Sequence, residues 1–299
     1  MRAPRPLKLS KLTVDFEVRE FQGAPGLALQ HAAVMPDPSF GAQVGEPDGV
    51  QDLTELAALL RVPTLQPALS ALKLVNANPS DEAELDAFVD AALRRKLRVL
   101  EVENGSPPAA APLARLLAAD VLTHLSWSND DDGGQVFVAA ADAVLLADAL
   151  RGNTTLQVLE LSEADLCADA DAANALLHAL VGHPVLRRLV LTSDDSNSNP
   201  ALVGAALAAF VAADSPALEE LDIRYLHLKE ADLLPIVNAL PMNRHLRVLR
   251  VEQDEDISDE FAQERLLRAW HANPAASRLS ITWRFFAPAA ALESSDSAE

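Results

Sequence analysis

The sequence predicts an α/β solenoid in which short strands and helices alternate along the chain and the strands stack in parallel. Three observations predict this fold class. A short apolar motif recurs every 25 to 34 residues, each copy has the period of a strand, and the segments between copies have the period of a helix. The chain of 299 residues is also longer than a common single domain, which fits one elongated array.

The motif has the pattern apolar-x-x-apolar-x-apolar. Its last two apolar positions lie two residues apart, so their side chains share one face of an extended strand and the residue between them faces the other way. The first positions of successive copies are separated by 28, 25, 34, 30, 32, 28 and 30 residues. The eight copies are Leu69/Leu72/Leu74, Leu97/Leu100/Val102, Leu122/Leu125/Trp127, Leu156/Leu159/Leu161, Leu186/Leu189/Leu191, Leu218/Leu221/Ile223, Leu246/Leu249/Val251 and Ala276/Leu279/Ile281.

The segments between the copies have helical periodicity. Leu85, Phe88, Val89 and Ala92 follow the i, i+3, i+4, i+7 rule of an amphipathic helix, and Ser80 is in place to cap its N-terminus. Because each unit has one strand and one helix, we expect a curved parallel sheet on the inside and helices on the convex face.

The ends of the chain depart from the repeat, as the terminal units of a solenoid do. Residues 1–50 are expected to form an N-terminal cap, with a strand through Leu12 and Val14, a hairpin partner near Leu27 and then an irregular loop rich in proline and glycine. The solenoid is expected over residues 51–286. Residues 287–299 are polar and acidic, which predicts a disordered tail.

The eight motif copies resemble the leucine-rich repeats of the long-repeat, ribonuclease-inhibitor-like class. The resemblance covers roughly residues 50 to 285 and implies a parallel sheet whose concave face binds proteins. One departure is clear, because the asparagine or cysteine of that family is missing five residues after the second leucine. We therefore expect irregular loops after the strands. The residues that stand there are Ala77, Gly105, Asp130, Ala164, Asp194, Leu226, Asp254 and Arg284.

The outward positions of the strands are the first candidates for binding. They are charged or polar in both signs, so they favour a protein partner with its own charge pattern. Tyr225 and Trp283, expected just past their strands, are candidate aromatic anchors, with packing against neighbouring loops as the alternative. The charged candidates and the histidine among them are Glu101, Glu103, His124, Glu160, Arg188, Glu220, Asp222, Arg224, Arg250, Glu252 and Arg278.

A second candidate surface is a series of aspartates in the loops that follow the strands. Equivalent loops of a solenoid lie along one edge, so these side chains are expected to form an acidic rim that attracts a basic partner or divalent cations. The simpler alternative is that they cap helices and keep the protein soluble. The residues of the acidic rim are Asp130, Asp131, Asp132, Asp194, Asp195, Asp254 and Asp256.

The sequence contains no motif of a known catalytic or cofactor site. The run from Ser128 to Gly133 is similar to half of a calcium loop, but Ala139 stands where the bidentate glutamate is required, so we interpret it as a turn. No histidine pair has metal-ligand spacing, and the single cysteine, Cys167, has no identifiable base. We therefore expect a protein that is not an enzyme and uses no metal or cofactor.

The formal net charge of −20 argues against nucleic acids and anionic membranes as partners. The single cysteine excludes an internal disulfide, and neither a secretory signal peptide nor a membrane-spanning segment is evident. These features favour the cytoplasm or another reducing compartment, with export by a route that needs no cleavable signal left open.

The functional expectation is a non-enzymatic adaptor, inhibitor or effector that binds a protein of basic or mixed surface charge. The alternative is a GTPase-activating regulator, because Ran GTPase-activating proteins also resemble acidic, long-repeat solenoids. No residue of this chain matches a catalytic motif of that family, and a GTP-hydrolysis assay would separate the two hypotheses.

Overall fold

The computed structural model describes most of the repeat region and one N-terminal strand. The described residues are 11–15, 53–61, 69–75, 82–103, 110–128, 140–162, 170–192, 201–226, 228–253, 257–258 and 260–283.

The described strands form one parallel sheet of nine strands, in which the spatial order equals the order along the chain. Each motif copy lies on a strand in the predicted place, so the predicted solenoid of alternating strands and helices is confirmed. The strands are β1 Lys11–Asp15, β2 Ala71–Val75, β3 Val99–Glu103, β4 His124–Ser128, β5 Val158–Ser162, β6 Arg188–Thr192, β7 Glu220–Asp222, β8 Val248–Gln253 and β9 Arg278–Trp283.

The helices pack against one another in sequence order. They bury one face against the leucines of the strands, so a single apolar core runs the length of the array. None of the helices in the described ranges is both long enough and apolar enough to span a membrane. The helices are α1 Leu53–Arg61, α2 Glu82–Arg95, α3 Ala110–Ala118, α4 Ala140–Gly152, α5 Ala170–Leu180, α6 Ala201–Ala212, α7 Glu230–Ala239 and α8 Leu267–Ala272. A 3₁₀ turn over Leu240–Met242 ends α7, and a π-helical segment over Phe261–Leu266 precedes α8.

The two ends of the sheet differ from its middle. The predicted first strand is present as β1, which pairs in parallel with β2 and adds a ninth strand to the eight motif copies. Its proposed hairpin partner near Leu27 lies outside the described residues. At the other end, Leu279 and Ile281 of β9 are only half-buried, whereas Leu249 and Val251 of β8 are buried.

The alternation within the strands separates two faces of the sheet. In β3, β4 and β5 the second and fourth residues are buried, and the first, third and fifth are half-buried. The buried positions belong to the core under the helices, so the remaining positions point to the opposite side. We call that side the concave face.

Candidate functional site

The concave face consists of rows of side chains that cross the strands at right angles. Because the pairing is parallel and unbroken in register, outward residues of neighbouring strands lie side by side, about 4.8 Å apart. The middle row contains four of the predicted charged residues, Glu101, Glu160, Asp222 and Arg250. Its members, from β2 to β9, are Lys73, Glu101, Ser126, Glu160, Val190, Asp222, Arg250 and Ser280.

Charges on this face from β5 to β8 alternate in sign and pair with one another. The Glu160 carboxylate accepts a hydrogen bond from the Ser126 hydroxyl at 3.0 Å, and its other oxygen lies 3.0 Å from Nη2 of Arg188. The guanidinium of Arg188 also places Nε 3.3 Å from the Glu220 carboxylate. Arg188 of β6 therefore links β5 on one side to β7 on the other.

The same series continues to β8. Arg250 forms an ion pair with Glu220 and lies 3.8 Å from the Asp222 carboxylate. Arg224 donates two hydrogen bonds to Asp222, from Nε at 2.9 Å and from Nη2 at 2.8 Å. The hydrogen bonds to Asp222 raise the pKa of Arg224 above its ordinary value. We call the linked residues Glu160, Arg188, Glu220, Arg250, Asp222 and Arg224 the charge ladder.

The charge ladder changes what the predicted binding residue Asp222 presents to solvent. Asp222 lies on the concave face as predicted, but its side chain is only 2% exposed because Arg224 and Arg250 cover it. Val190, in the same row, is buried as well. The region over β6 and β7 therefore presents guanidinium groups, and the carboxylate beneath them is inaccessible to a partner.

Tyr225 has an unusual backbone conformation at the carboxyl end of β7. Its φ angle is 62°, in the left-handed region that a bulky side chain rarely adopts. The other described non-glycine residues with positive φ are Lys96, Asp120 and Asp214, which each follow a helix, where this conformation is common. Tyr225 follows a strand instead.

Two contacts hold Tyr225 in place. Its backbone N–H donates to the carboxylate of Glu252 at 2.9 Å, and Glu252 is itself buried. The Arg224 guanidinium lies over the phenol ring, 5.7 Å from its centroid, at a distance typical of a cation–π contact. The ring is thus placed at the edge of the concave face by the last residues of the charge ladder.

The first half of the concave face contains an open groove of about 440 Å³. Ser126 of β4 lies between Glu101 of β3 and Glu160 of β5, and Ser128 of β4 lies beside Glu103 of β3, so small side chains of β4 line the groove. Lys73 forms an ion pair with Glu103 at one end of the groove, and Arg188 closes the other.

His124 lies in the groove on the row beside the glutamates. Its Nδ1 is 2.9 Å from the hydroxyl of Thr123. The neighbours of His124 in this row are Val99 and Val158, which are both half-buried. The groove therefore combines an apolar row with a charged row.

The opposite edge of the sheet, where the helices end and the strands begin, contains a series of buried polar residues. Asn243 donates from its amide to the carbonyl of Val211 at 2.9 Å, and its oxygen accepts from the N–H groups of His245 and Leu246. Such residues hold each turn to the turn before it. We call them the buried polar series, and its members are Asn153, His183, Ser215, Asn243 and Asn273.

This buried polar series was not predicted from the sequence. Each member stands three residues before the first apolar position of a motif copy, so a signal was present. It is weak because three residue types share the position. The asparagine or cysteine that the family has after the strands is missing here, but polar residues recur before the strands.

Two aspartates support the same turns. Asp120 accepts from the N–H and the hydroxyl of Thr154, both at 2.6 Å. These hydrogen bonds lower the pKa of Asp120. Asp214 accepts from the N–H of Arg244 and contacts Nδ1 of His245, and together these two neighbours outweigh the effect of burial and lower the pKa of Asp214.

The remaining predicted residues have separate outcomes. Arg278 is exposed at the start of β9, and Trp283 ends that strand with its side chain outside the described part. The acidic rim, Cys167 and the turn after Ser128 also lie outside the described residues, so the rim stays a prediction. Within the described ranges, no group of three or more histidine, cysteine, aspartate or glutamate side chains is arranged to hold a metal ion.

Comparison with known proteins finds matches among solved structures but none among family models or curated proteins. No family model and no curated protein matches this chain. Among solved structures, the leucine-rich repeat-containing protein LegL7 from Legionella pneumophila matches 78% of this chain and 79% of its own length, with 15% sequence identity and a TM-score of 0.45. The in-register parallel sheet of this chain, with one α-helix between each pair of successive described strands, is by itself the architecture of a leucine-rich-repeat solenoid.

Proposed function

We propose that this chain is a non-enzymatic protein-interaction module, an adaptor, inhibitor or effector, that binds a protein partner through the concave face and the adjacent acidic rim. The observation that supports this proposal most is the charge ladder. It fixes long side chains from four neighbouring strands in one arrangement on a solvent-facing surface.

A fixed arrangement of this kind favours binding. A partner that docks on freely rotating arginine and glutamate side chains must order them, which costs about 0.5 to 1.5 kcal/mol for each side chain. Here the ion pairs between Arg188, Glu160 and Glu220 have already ordered three of them. The contribution of such surface pairs to folding stability is small, so their arrangement is of more use for recognition than for stability.

The distribution of charge indicates the kind of partner. The outward positions of β2 to β5 contain Lys73 and three glutamates, whereas those of β6 to β9, with Arg224, contain more arginines than carboxylates. A partner that fits the whole face therefore has a basic part over β3 to β5 and a mixed or acidic part over β6 to β9. The charges are Lys73, Glu101, Glu103 and Glu160 in the first half, and Arg188, Glu220, Asp222, Arg224, Arg250, Glu252 and Arg278 in the second.

The test is affinity capture from a native extract at low and moderate salt, using two variants of equal net charge. In the concave variant, Glu103→Lys is combined with Arg278→Glu. In the convex variant, Asp148→Lys is combined with Arg151→Glu, which exchanges the members of an exposed helical ion pair. The charge ladder is left intact in both.

We expect a protein captured by the wild type to be lost by the concave variant and retained by the convex variant. Reconstitution of that pair from purified components then gives the affinity. If both variants retain the same proteins, the concave face is not the binding surface and the proposal is wrong.

A further inference from the structure

We propose that the outer face of α5, α6 and α7 is the contact surface of a homodimer, in which two copies of this chain pack back to back and both concave faces stay open. The inference does not rest on the proposed function, because these helices lie on the opposite side of the sheet from the concave face. We call this surface the uncharged face. It is defined by Val181, Ala205, Ala209, Ala212, Asn238 and Met242, which are all exposed.

The centre of the uncharged face is α6, which has no polar side. Its sequence, ALVGAALAAFVA, contains neither a charged nor a polar residue. Leu207 and Phe210 are buried in the core, whereas Ala205, Ala209 and Ala212, spaced as i, i+4 and i+7, face solvent. A helix that is apolar on every side is normally buried on every side. The outer face of α6 therefore has the composition of a surface that another molecule covers.

The neighbouring helices extend this surface without adding charge. No side chain in the described part of α5 is charged. The charges of α7, Glu230 and Asp232, lie in its first turn, where they accept hydrogen bonds from the N–H groups of Ser258 and Lys229. A Cβ atom on Gly204 would lie 2.7 Å from that of Asp232, so α6 and α7 pack closely. Their outer faces thus form one continuous surface.

The helices of the earlier repeats have a different outer face. Arg115 of α3 lies 3.1 Å from the carboxylates of both Asp86 and Asp90 of α2, and Asp148 pairs with Arg151 on α4. Charged outer faces of this kind are typical of helices in water. The lack of charge from α5 to α7 is therefore a local property, and the ion pair on α4 marks its boundary.

Large apolar side chains are exposed around α6. Met242, directly after α7, is 71% exposed, and Val181, directly after α5, is exposed as well. Val144 and Leu145 add two more on α4, beside α5. Single apolar side chains on a surface are ordinary, but a group of them indicates an interaction surface.

The net charge of the chain favours a second copy as the molecule that covers this face. Two molecules of formal net charge −20 repel each other, so they associate at least cost through a surface that has no charge. The alanines at the centre let two copies of α6 approach closely about a two-fold axis, with Val181 and Met242 on either side.

The area of the uncharged face is sufficient for a weak dimer. The 12 residues of α6 span about 18 Å. Three helices about 10 Å apart cover about 30 Å, which gives a footprint of about 540 Å² for each copy. The relief of the side chains raises the accessible area, so two copies bury about 1,200 Å², at the lower end of specific interfaces. The dimer is therefore expected to depend on protein concentration.

Sedimentation velocity of the full chain over about a hundredfold range of concentration tests the dimer. Ala209→Glu and Ala209→Arg place a charge at the centre of the uncharged face. Ala111→Glu and Ala111→Arg place the same charges on an exposed alanine of α3 and are the matched controls. Glutamate and arginine change the net charge in opposite directions, so an effect common to both Ala209 variants does not report overall repulsion.

We expect the average mass of wild type and of both Ala111 variants to rise with concentration from 31.9 kDa toward twice that value. Both Ala209 variants are expected to associate at least about tenfold more weakly, because an unpaired charge is buried on dimerisation. Higher salt is expected to strengthen the wild-type dimer, since it screens the repulsion between acidic copies. If circular dichroism shows that the Ala209 variants do not fold, Met242→Glu decides in their place.

Three outcomes overturn the dimer. Wild type stays a monomer at every concentration, or the Ala209 variants associate as tightly as wild type, or a monomeric wild type captures an extract protein that Ala209→Glu loses, which assigns the face to another partner. The concave variant, Glu103→Lys with Arg278→Glu, is expected to dimerise like wild type. Failure of the dimer is therefore separate from failure of the proposed function.

Discussion

The side-chain amide of Asn153 donates a hydrogen bond to the backbone carbonyl of Leu117, one repeat earlier in the chain, at 2.7 Å. Its oxygen accepts from the N–H groups of Thr155 and Leu156 at 2.9 and 2.7 Å. One buried side chain thus forms hydrogen bonds with a turn of its own repeat and with the end of the helix in the preceding repeat. Loss of a buried group of this kind leaves several polar atoms without partners.

We expect Asn153→Ala to lower the free energy of unfolding by about 2 to 4 kcal/mol, because two buried backbone groups and one part-buried one lose their hydrogen bonds. Urea unfolding followed by circular dichroism measures the effect. Asp148→Ala, on the exposed face of α4, is the control and is expected to change stability by less than about 0.5 kcal/mol. A similar small effect of Asn153→Ala would show that the buried polar series does not stabilise the array.

His183 holds the equivalent position in the next repeat but satisfies it less well. Its Nδ1 accepts the N–H of Leu186 at 3.2 Å, while Nε2 is buried and has no hydrogen-bond partner in the described part of the chain. Burial lowers the pKa of His183 below its ordinary value of 6.5. The folded state therefore binds fewer protons than the unfolded state, and stability falls as the pH decreases below about 6.5.

His183→Asn is expected to stabilise the protein and to remove part of this pH dependence, because the asparagine amide can make the bonds that Asn153 and Asn243 make. Urea unfolding at pH 7.5 and pH 5.5 tests this expectation, with the gain larger at the lower pH. An equal gain at both pH values would show that His183 is not responsible for the loss of stability in acid.

The strand positions could be predicted from the sequence because a strand has a side-chain period of two and the apolar motif repeats it eight times. The same period placed Glu101, Glu160 and Arg250 on the concave face. Burial of Asp222 could not be predicted, because the side chain that covers it most closely, Arg224, lies beyond the end of the strand. Periodicity carries no information on how a chain turns there.

The ion pairs between charged residues of the concave face could not be predicted from the sequence either. Arg188 contacts glutamates on both neighbouring strands, and which of them it reaches depends on register and rotamer. The polar residues before the strands were overlooked for a different reason. Asparagine, histidine and serine all occur at that position because each can accept a hydrogen bond from a backbone N–H group. The hydrogen-bonding role is therefore common to the repeats, while the residue type varies.

The ion pair of Asp222 and Arg224 is expected to contribute more than the surface pairs of the helices. The Asp222 side chain is 2% exposed and accepts two hydrogen bonds from one guanidinium, whereas Asp148 and Arg151 are 64% and 59% exposed. We expect Asp222→Ala to cost about 2 to 3 kcal/mol, less than for a fully buried pair because Arg224 remains partly hydrated. Asp148→Ala is expected to cost less than about 0.5 kcal/mol.

A double-mutant cycle with Arg224→Ala measures the part of this cost that belongs to the pair itself. The expected coupling is above about 1 kcal/mol. Coupling near zero would mean that Asp222 acts mainly through Arg250, and that the last step of the charge ladder is not one of its stabilising contacts.

A substitution at Tyr225 can separate an effect on folding stability from an effect on partner binding. Its left-handed backbone costs about 1 kcal/mol for a residue with a side chain, and glycine adopts the same φ without strain. Tyr225→Gly removes the ring and its contact with Arg224 but keeps the N–H that donates to Glu252. We therefore expect the two effects on folding to offset each other, with a net change within about 1 kcal/mol.

The same substitution is expected to weaken binding of a captured partner by about tenfold or more, because tyrosine is among the residues that most often dominate binding energy at protein interfaces. Isothermal titration with the purified partner measures this loss, and Tyr225→Phe is the matched variant, since it keeps the ring and the strain but lacks the hydroxyl. If Tyr225→Gly binds as tightly as wild type, the strained conformation serves the packing of the turn after β7. Retention by Tyr225→Phe but not by Tyr225→Gly would assign the anchor to the ring face instead of the hydroxyl.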